Sequence, residues 1–358
     1  MCKVIVFSIL LLVLAGCGGG GSNGGNSSRA TTSPPDVEGS LPIPSFNAIS
    51  FDTHPECANE TPEVSFTLTE SFDVDSAYVA LLATLLIEDE IEAARKQFSK
   101  WGFSSVNVWN HSWNGMRLYV AEHDEFVFVI FRGTTTAIEY ASNAMFLTTP
   151  TEGYAEGRAH AGIWNTFKTS RSEIHQMIND IGGSEKPVVF AGHSRGAAFS
   201  TLQAAYFAEQ GGDVASVYSF AQPRLGNSVL ATRLNGLIGD RYYRMKYELD
   251  VTPQVAPTGD AALQLYEEGY LPLWLGEEIA NLGYDYDAGE MVMLSGLGVL
   301  HLDANPYEWQ MAFWRDLFDS NPNLIWSLPA IIKSFPVNHN PRIYICRLSE
   351  TYQYAGQK

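Results

Sequence analysis

The stretch PVVFAGHSRGAAFS, Pro187 to Ser200, runs an apolar segment straight into a glycine-flanked serine and then into small side chains. The apolar part reads as a buried strand, and the part from about Arg195 to Gln210 reads as a helix. Between them, Gly192-His193-Ser194-Arg195-Gly196 fits the pattern G-x-S-x-G. A serine on a sharp strand-to-helix turn needs the helix to pass very close to the strand. Side chains at Gly192 and Gly196 would collide there, and Ala197 and Ala198 keep the crossing tight. At Arg195 only the backbone N–H is required, so its side chain is free to reach solvent or substrate. A second match, Gly20 to Gly24 around Ser22, has no strand before it and no helix after it, and carries no weight.

The rest of the chain supplies a sheet for that turn. Residues 73–100 show helical spacing, and the runs from Met116 (MRLYVAE) and Phe126 (FVFVIF) read as strands. A helix is expected around Tyr154–Ile181, strands at 187–191, 216–221 and 241–248, a short helix after Asn227, and a last strand at IYICRL from Ile343. Strands alternating with helices imply an α/β architecture, a mostly parallel central sheet with helices on both faces.

In this chain of 358 residues, the folded domain is expected over 46–358. Residues 1–16 read as a signal peptide: one lysine, then an apolar run from Val4 to Leu14 too short to span a bilayer. Leu14-Ala15-Gly16-Cys17 resembles the lipobox of bacterial lipoproteins. This implies a lipidated Cys17 in the cell envelope, with residues 17–45 as a Gly/Ser/Pro tether. An ordinary signal peptide for secretion is the alternative. Cys57 and Cys346 remain in the body, either as a disulfide suited to an oxidising compartment or as two free thiols. The net charge of −18 excludes a nucleic-acid binder, which needs a basic face.

A serine hydroxyl is a weak nucleophile until a base accepts its proton, and the base needs a carboxylate to orient it. The pattern around Ser194 calls for the order serine, acid, histidine. Asp250 follows the strand RYYRMKYE at a strand end, and only His301 and His339 lie beyond it. His160 and His193 precede the serine and read as structural.

Several separated segments resemble the fungal-type, or class 3, lipase family of the α/β-hydrolase superfamily. VIFRGTT (Val129 to Thr135) is similar to its oxyanion strand, HAGIW from His160 to its H-x-G-aromatic segment, and GHSRGAA to its serine turn. SFAQPRLGN (Ser219 to Asn227), YELDVTPQVAP (Tyr247 to Pro257) and NHNPRIYI (Asn338 to Ile345) resemble the later motifs, the last carrying an aromatic a few residues after its histidine. The resemblance implies an α/β-hydrolase fold, Ser194 as nucleophile, Asp250 as acid and His339 as base. The backbone N–H groups of Thr134 and Arg195 would form the oxyanion hole. Arg195 and Ala197 depart from the family's Leu and Gly, Thr252 lengthens the acid segment, and the long interval before His339 keeps His301 as a rival base.

The resemblance also implies a lid over residues 137–157, where Ile138, Ala141, Met145 and Phe146 have helix-like spacing; a permanently packed helix fits equally. Residues 262–300 hold Leu265, Tyr266, Leu271, Leu273 and Trp274, either walling an acyl groove or forming a buried insertion. No cofactor or metal is required, and no H-E-x-x-H or paired-cysteine spacing occurs. The expected activity is carboxylic-ester hydrolysis on lipids, first of all on triacylglycerol, with no obligate protein partner. Phospholipase A1 or short-chain esterase activity, and a non-catalytic envelope binding protein, are the alternatives.

Overall fold

The computed structural model describes residues 66–87, 91–111, 114–134, 147–153, 157–284, 288–295, 299–302, 305–320 and 338–355. The expected signal peptide, Cys17, the tether, Cys57 and residues 137–146 and 154–156 of the expected lid lie outside them.

Helix α1 (Val74–Leu86) starts at Asp73, whose carboxylate accepts the Ser76 N–H at 2.7 Å and so satisfies one of the unpaired donors of the first turn. Helix α2 is Ile91–Lys100, so the single helical run expected from Asp73 is two helices. Strands β1 (Ser105–Asn110), β2 (Arg117–Glu122) and β3 (Val127–Phe131) form an antiparallel meander. A separate ribbon pairs β4 (Thr148–Pro150) with β5 (Arg158–His160). There follow α3 (Ala161–Ile178), β6 (Val188–His193), α4 (Arg195–Glu209), β7 (Val214–Phe220), α5 (Ser228–Ile238) and β8 (Tyr242–Tyr247). Next come α6 (Gly259–Glu267), α7 (Leu273–Ala280), β9 (Glu290–Leu294), β10 (Leu300–His301), α8 (Pro306–Ser320) and α9 (Pro341–Ala355).

Among the described residues the main sheet runs β1-β2-β3-β6-β7-β8-β9-β10, parallel from β3 to β9 and antiparallel at both ends. Alternation along β6 divides the core. Val188 and Phe190 face Trp164 and Phe167 of α3 and Phe199 and Leu202 of α4. Val189 and Ala191 face Ala77 and Leu81 of α1 and Tyr344 and Leu348 of α9. Both faces are therefore covered, which is why β3 and β6 are buried along their whole length and apolar almost throughout.

The segment IYICRL is helix, not the last strand its β-branched and aromatic residues suggested. Asn340 accepts the Arg342 N–H through its side chain at 2.9 Å, and Pro341 opens the helix where a missing N–H costs nothing. Burial then follows a helical stripe: Ile343, Tyr344, Cys346 and Leu348 turn inward against α1. Tertiary packing overrides the local strand preference. Cys346 is disulfide-bonded from this helix; the expected partner, Cys57, lies outside the described residues.

The insertion expected at 262–300 covers most of α6, all of α7 and strand β9, and α6 and α7 share a small core with α8. Leu265, Leu271 and Met311 are buried in it, while Tyr266, Leu273 and Trp274 stay exposed.

Because α9 docks through a filled stripe, Leu348→Ala should lower the unfolding free energy by about 2–5 kcal/mol. Leu302→Ala, at a side chain 54% exposed, should change it by less than about 0.5 kcal/mol. Urea denaturation of both variants measures the contrast.

Candidate active site

The serine turn is set by two glycines. A β-carbon on Gly192 would lie 2.3 Å from the Gly196 carbonyl carbon and oxygen. One on Gly196 would lie 2.4 Å from the Phe131 carbonyl oxygen. Helix α4 thus leaves β6 with its backbone pressed against both its own strand and β3. Ser194 sits between them at φ 58° and ψ −127°, a conformation that a residue with a side chain holds only when its surroundings enforce it. The result is a hydroxyl standing above the C-terminal edge of the parallel strands.

Asp250 and His339 reach the same point. Asp250 follows β8 and is fully buried. Its carboxylate accepts from Thr252 N–H at 2.9 Å, from the Tyr344 hydroxyl at 2.7 Å and from His339 Nδ1 at 2.9 Å. A buried carboxylate without such donors would cost several kcal/mol. His339 lies just before α9, and its Nε2 is 2.7 Å from Ser194 Oγ. The Asp250 bond makes Nδ1 the protonated nitrogen and leaves Nε2 to accept from the serine. The structure therefore joins Ser194, His339 and Asp250 in one path. His301 is elsewhere, on β10 with its ring against Trp309.

The turn after β3 borders the serine: a β-carbon at Gly133 would lie 3.3 Å from the His193 carbonyl oxygen and 3.8 Å from Ser194 Cβ. Thr134 follows in that turn. Arg195 is the first residue of α4, where N–H groups point out of the helix. Its side chain differs from expectation. It does not reach solvent but is buried, packed over the Phe199 ring at 4.7 Å and donating to Thr166 Oγ1 at 3.0 Å. The long helix α3 provides that acceptor and so explains an arginine at a position where apolar residues also fit.

Two further side chains border the site: Tyr344, unassigned in the sequence, and His193, read there as structural. Tyr344 donates to Asp250 and accepts the Tyr247 N–H at 3.0 Å, joining α9 to β8. Burial and the nearby Asp250 charge hold its phenol well above the ordinary tyrosine value. The only trace was an aromatic residue shortly after the last histidine. His193 is buried beside His339, ring centroids 4.9 Å apart. Burial, reinforced by the proximity of His339, lowers its pKa well below the ordinary value. His160, by contrast, accepts the Ile163 N–H at the start of α3, a structural role.

Of the expected lid, residues 147–153 and 157 are described. They hold strand β4, which pairs with β5 just beyond the expected lid, and Leu147 is exposed. No group of three His, Cys, Asp or Glu side chains that could hold a metal occurs among the described residues. None of their helices is long and apolar enough to cross a membrane.

Part of the chain is similar to known proteins. Residues 128–259, from β3 to the start of α6, match the family described as lipase (class 3). A secreted mono- and diacylglycerol lipase A of Penicillium cyclopium is 32% identical over 108 residues, 29% of this chain and 35% of that protein. Phospholipase A1-II 6 of Oryza sativa subsp. japonica is 26% identical over 166 residues, 37% of this chain and 40% of that protein. The chain thus spans well under half the length of these curated relatives. Among solved structures, a deletion mutant of the Rhizomucor miehei lipase propeptide complex superposes with a TM-score of 0.50 at 16% identity, over 79% of this chain and 93% of that one. The fold is that of the α/β hydrolases.

The folded protein keeps His193 neutral where the unfolded chain, near the ordinary value of 6.5, takes up a proton. The stability this provides is complete above that value and drains as pH falls below it, by up to about 1.4 kcal/mol per pH unit. The loss of urea-measured stability between about pH 7 and about pH 5 should therefore be smaller in His193→Phe than in the wild type. An equal loss would mean that His193 titrates normally.

Proposed function

We propose that this protein is a serine hydrolase of carboxylic esters in lipids, with Ser194 as nucleophile, His339 as base and Asp250 as orienting acid. The observation that carries it is the unbroken path from buried Asp250 through His339 to Ser194 Oγ, at 2.9 Å and 2.7 Å. As Ser194 Oγ attacks the ester carbonyl, His339 Nε2 takes its proton and Asp250 stabilises the imidazolium. The carbonyl oxygen becomes an oxyanion facing the N–H groups of Thr134 and Arg195. Each such donor is worth roughly 3–4 kcal/mol of barrier. The imidazolium then protonates the leaving alcohol. Water, deprotonated by the same nitrogen, cleaves the acyl-enzyme and releases the acid.

Acylglycerols are the proposed substrates, triacylglycerol first; the name of the Penicillium relative supports the class. The rice relative, named a phospholipase A1, supports a second reading in which the leaving group is a phospholipid. Export, followed by anchoring through a lipid on Cys17, is proposed from the segment Leu14 to Cys17. With that anchor the protein should partition into the detergent phase, and Cys17→Ser should move it to the aqueous phase. Aqueous partitioning of the wild type would favour free secretion.

A fluorophosphonate should label the wild type and not Ser194→Ala. Hydrolysis of graded acyl esters should fall by about 10⁴-fold or more in His339→Ala and stay near wild type in His301→Ala. The reverse pattern would transfer the base to His301. Absence of labelling in folded wild type would favour a binding protein on a hydrolase scaffold.

A further inference from the structure

We infer that His193 is a positioning residue, whose buried ring holds the imidazole and main chain of His339 in line with Ser194. The inference rests on the roles proposed above for Ser194, His339 and Asp250.

The triad bonds alone leave the base underdetermined. Asp250 holds one ring nitrogen of His339 and Ser194 meets the other, so both contacts lie nearly along a single axis across the imidazole. They resist sliding along that axis but do not fix rotation about it. They also do not fix the main chain that carries the ring. His193 supplies both constraints. Its ring faces that of His339 at 4.9 Å, tilted by 41°, and a hydrogen bond links it to the His339 main chain. That bond favours the protonated ring, so the ring is the donor and a carbonyl the acceptor. His193 Nε2 has no hydrogen-bond partner, so the donor is Nδ1.

The clamp is itself held rigid. His193 ends the buried strand β6, one residue before the nucleophile, and is 7% exposed. The Gly133 turn runs beside it, where a β-carbon would make ordinary contact at 3.8 Å with His193 Nδ1. The Tyr344 ring meets it edge-on at 5.9 Å. The titratable groups facing it are His339 and Tyr344. Keeping it neutral matters chemically, because His339 becomes cationic in both halves of the reaction, and a second cation at this distance would oppose that charge.

Three variants separate positioning from packing, assayed with a soluble short-chain acyl ester. His193→Phe keeps a ring without a donor; His193→Asn keeps a donor near the Nδ1 position; His193→Gln keeps an amide but carries it one carbon too far. Expected is a kcat loss of about tenfold to a hundredfold in the Phe and Gln variants, with KM within about twofold. The Asn variant should recover kcat to within about fivefold of wild type. Wild-type kcat in His193→Phe, or Gln matching or exceeding Asn, overturns the inference and leaves the triad standing. A wild type that neither hydrolyses esters nor takes a fluorophosphonate overturns the triad first. Where a variant does not fold, nitrogen NMR of histidine-labelled wild type decides. A neutral Nδ1–H tautomer at His193 near pH 7 supports the clamp, and an Nε2–H tautomer or an imidazolium overturns it.

Discussion

At Gly192 and Gly196 two backbones cross with no room for a β-carbon, and much of the molecule follows from that contact. It fixes the angle at which α4 leaves β6. It also presses the helix start against the carbonyl of Phe131, so β3 and its following turn must run beside the serine. Ser194 is forced into positive φ as the chain reverses. The energetic cost of that backbone is carried by the surrounding core, since β6 and most of α4 are buried on both faces of the turn. A strained residue survives where its neighbours leave it no alternative, and here they present a hydroxyl, a turn of backbone amides and a helix N-terminus at one edge.

The second dependence is electrostatic. Asp250 has no exposure to water, so the donors to its carboxylate must come from the protein. Thr252 donates locally, while Tyr344 and His339 donate from the far end of the described chain. The packing of α9 against α1 is therefore part of the site, because it delivers those two donors. Arg195 shows the same economy in a different place: its backbone faces the site and its guanidinium serves the core beneath.

Much of this was legible in the chain. The glycine spacing around Ser194 has one physical cause, and an apolar strand before it and small residues after it leave little choice of geometry. The positions of Asp250 and His339 followed from chain order and from resemblance, and the coordinates bring both to the serine. What escaped had physical reasons. IYICRL carries β-branched and aromatic residues, and its helical stripe emerges only with α1 in place; the informative mark was Asn340-Pro341, a helix start. The buried side chain of Arg195 depends on Thr166, a partner in another helix. Strand β1 and helices α6 to α8 went unplaced, since short apolar clusters without clear periodicity do not distinguish strand from helix. The role of Tyr344 is a matter of where its hydroxyl lands, which spacing alone cannot give.

Ser194 and His339 stand 145 residues apart along the chain. A polypeptide emerging from the N-terminus thus presents the serine long before its base exists in space. Until α9 settles on α1, the serine hydroxyl has no imidazole beside it. The contact between α9 and α1 therefore also governs when the serine hydroxyl meets an imidazole, since that packing carries His339 to Ser194.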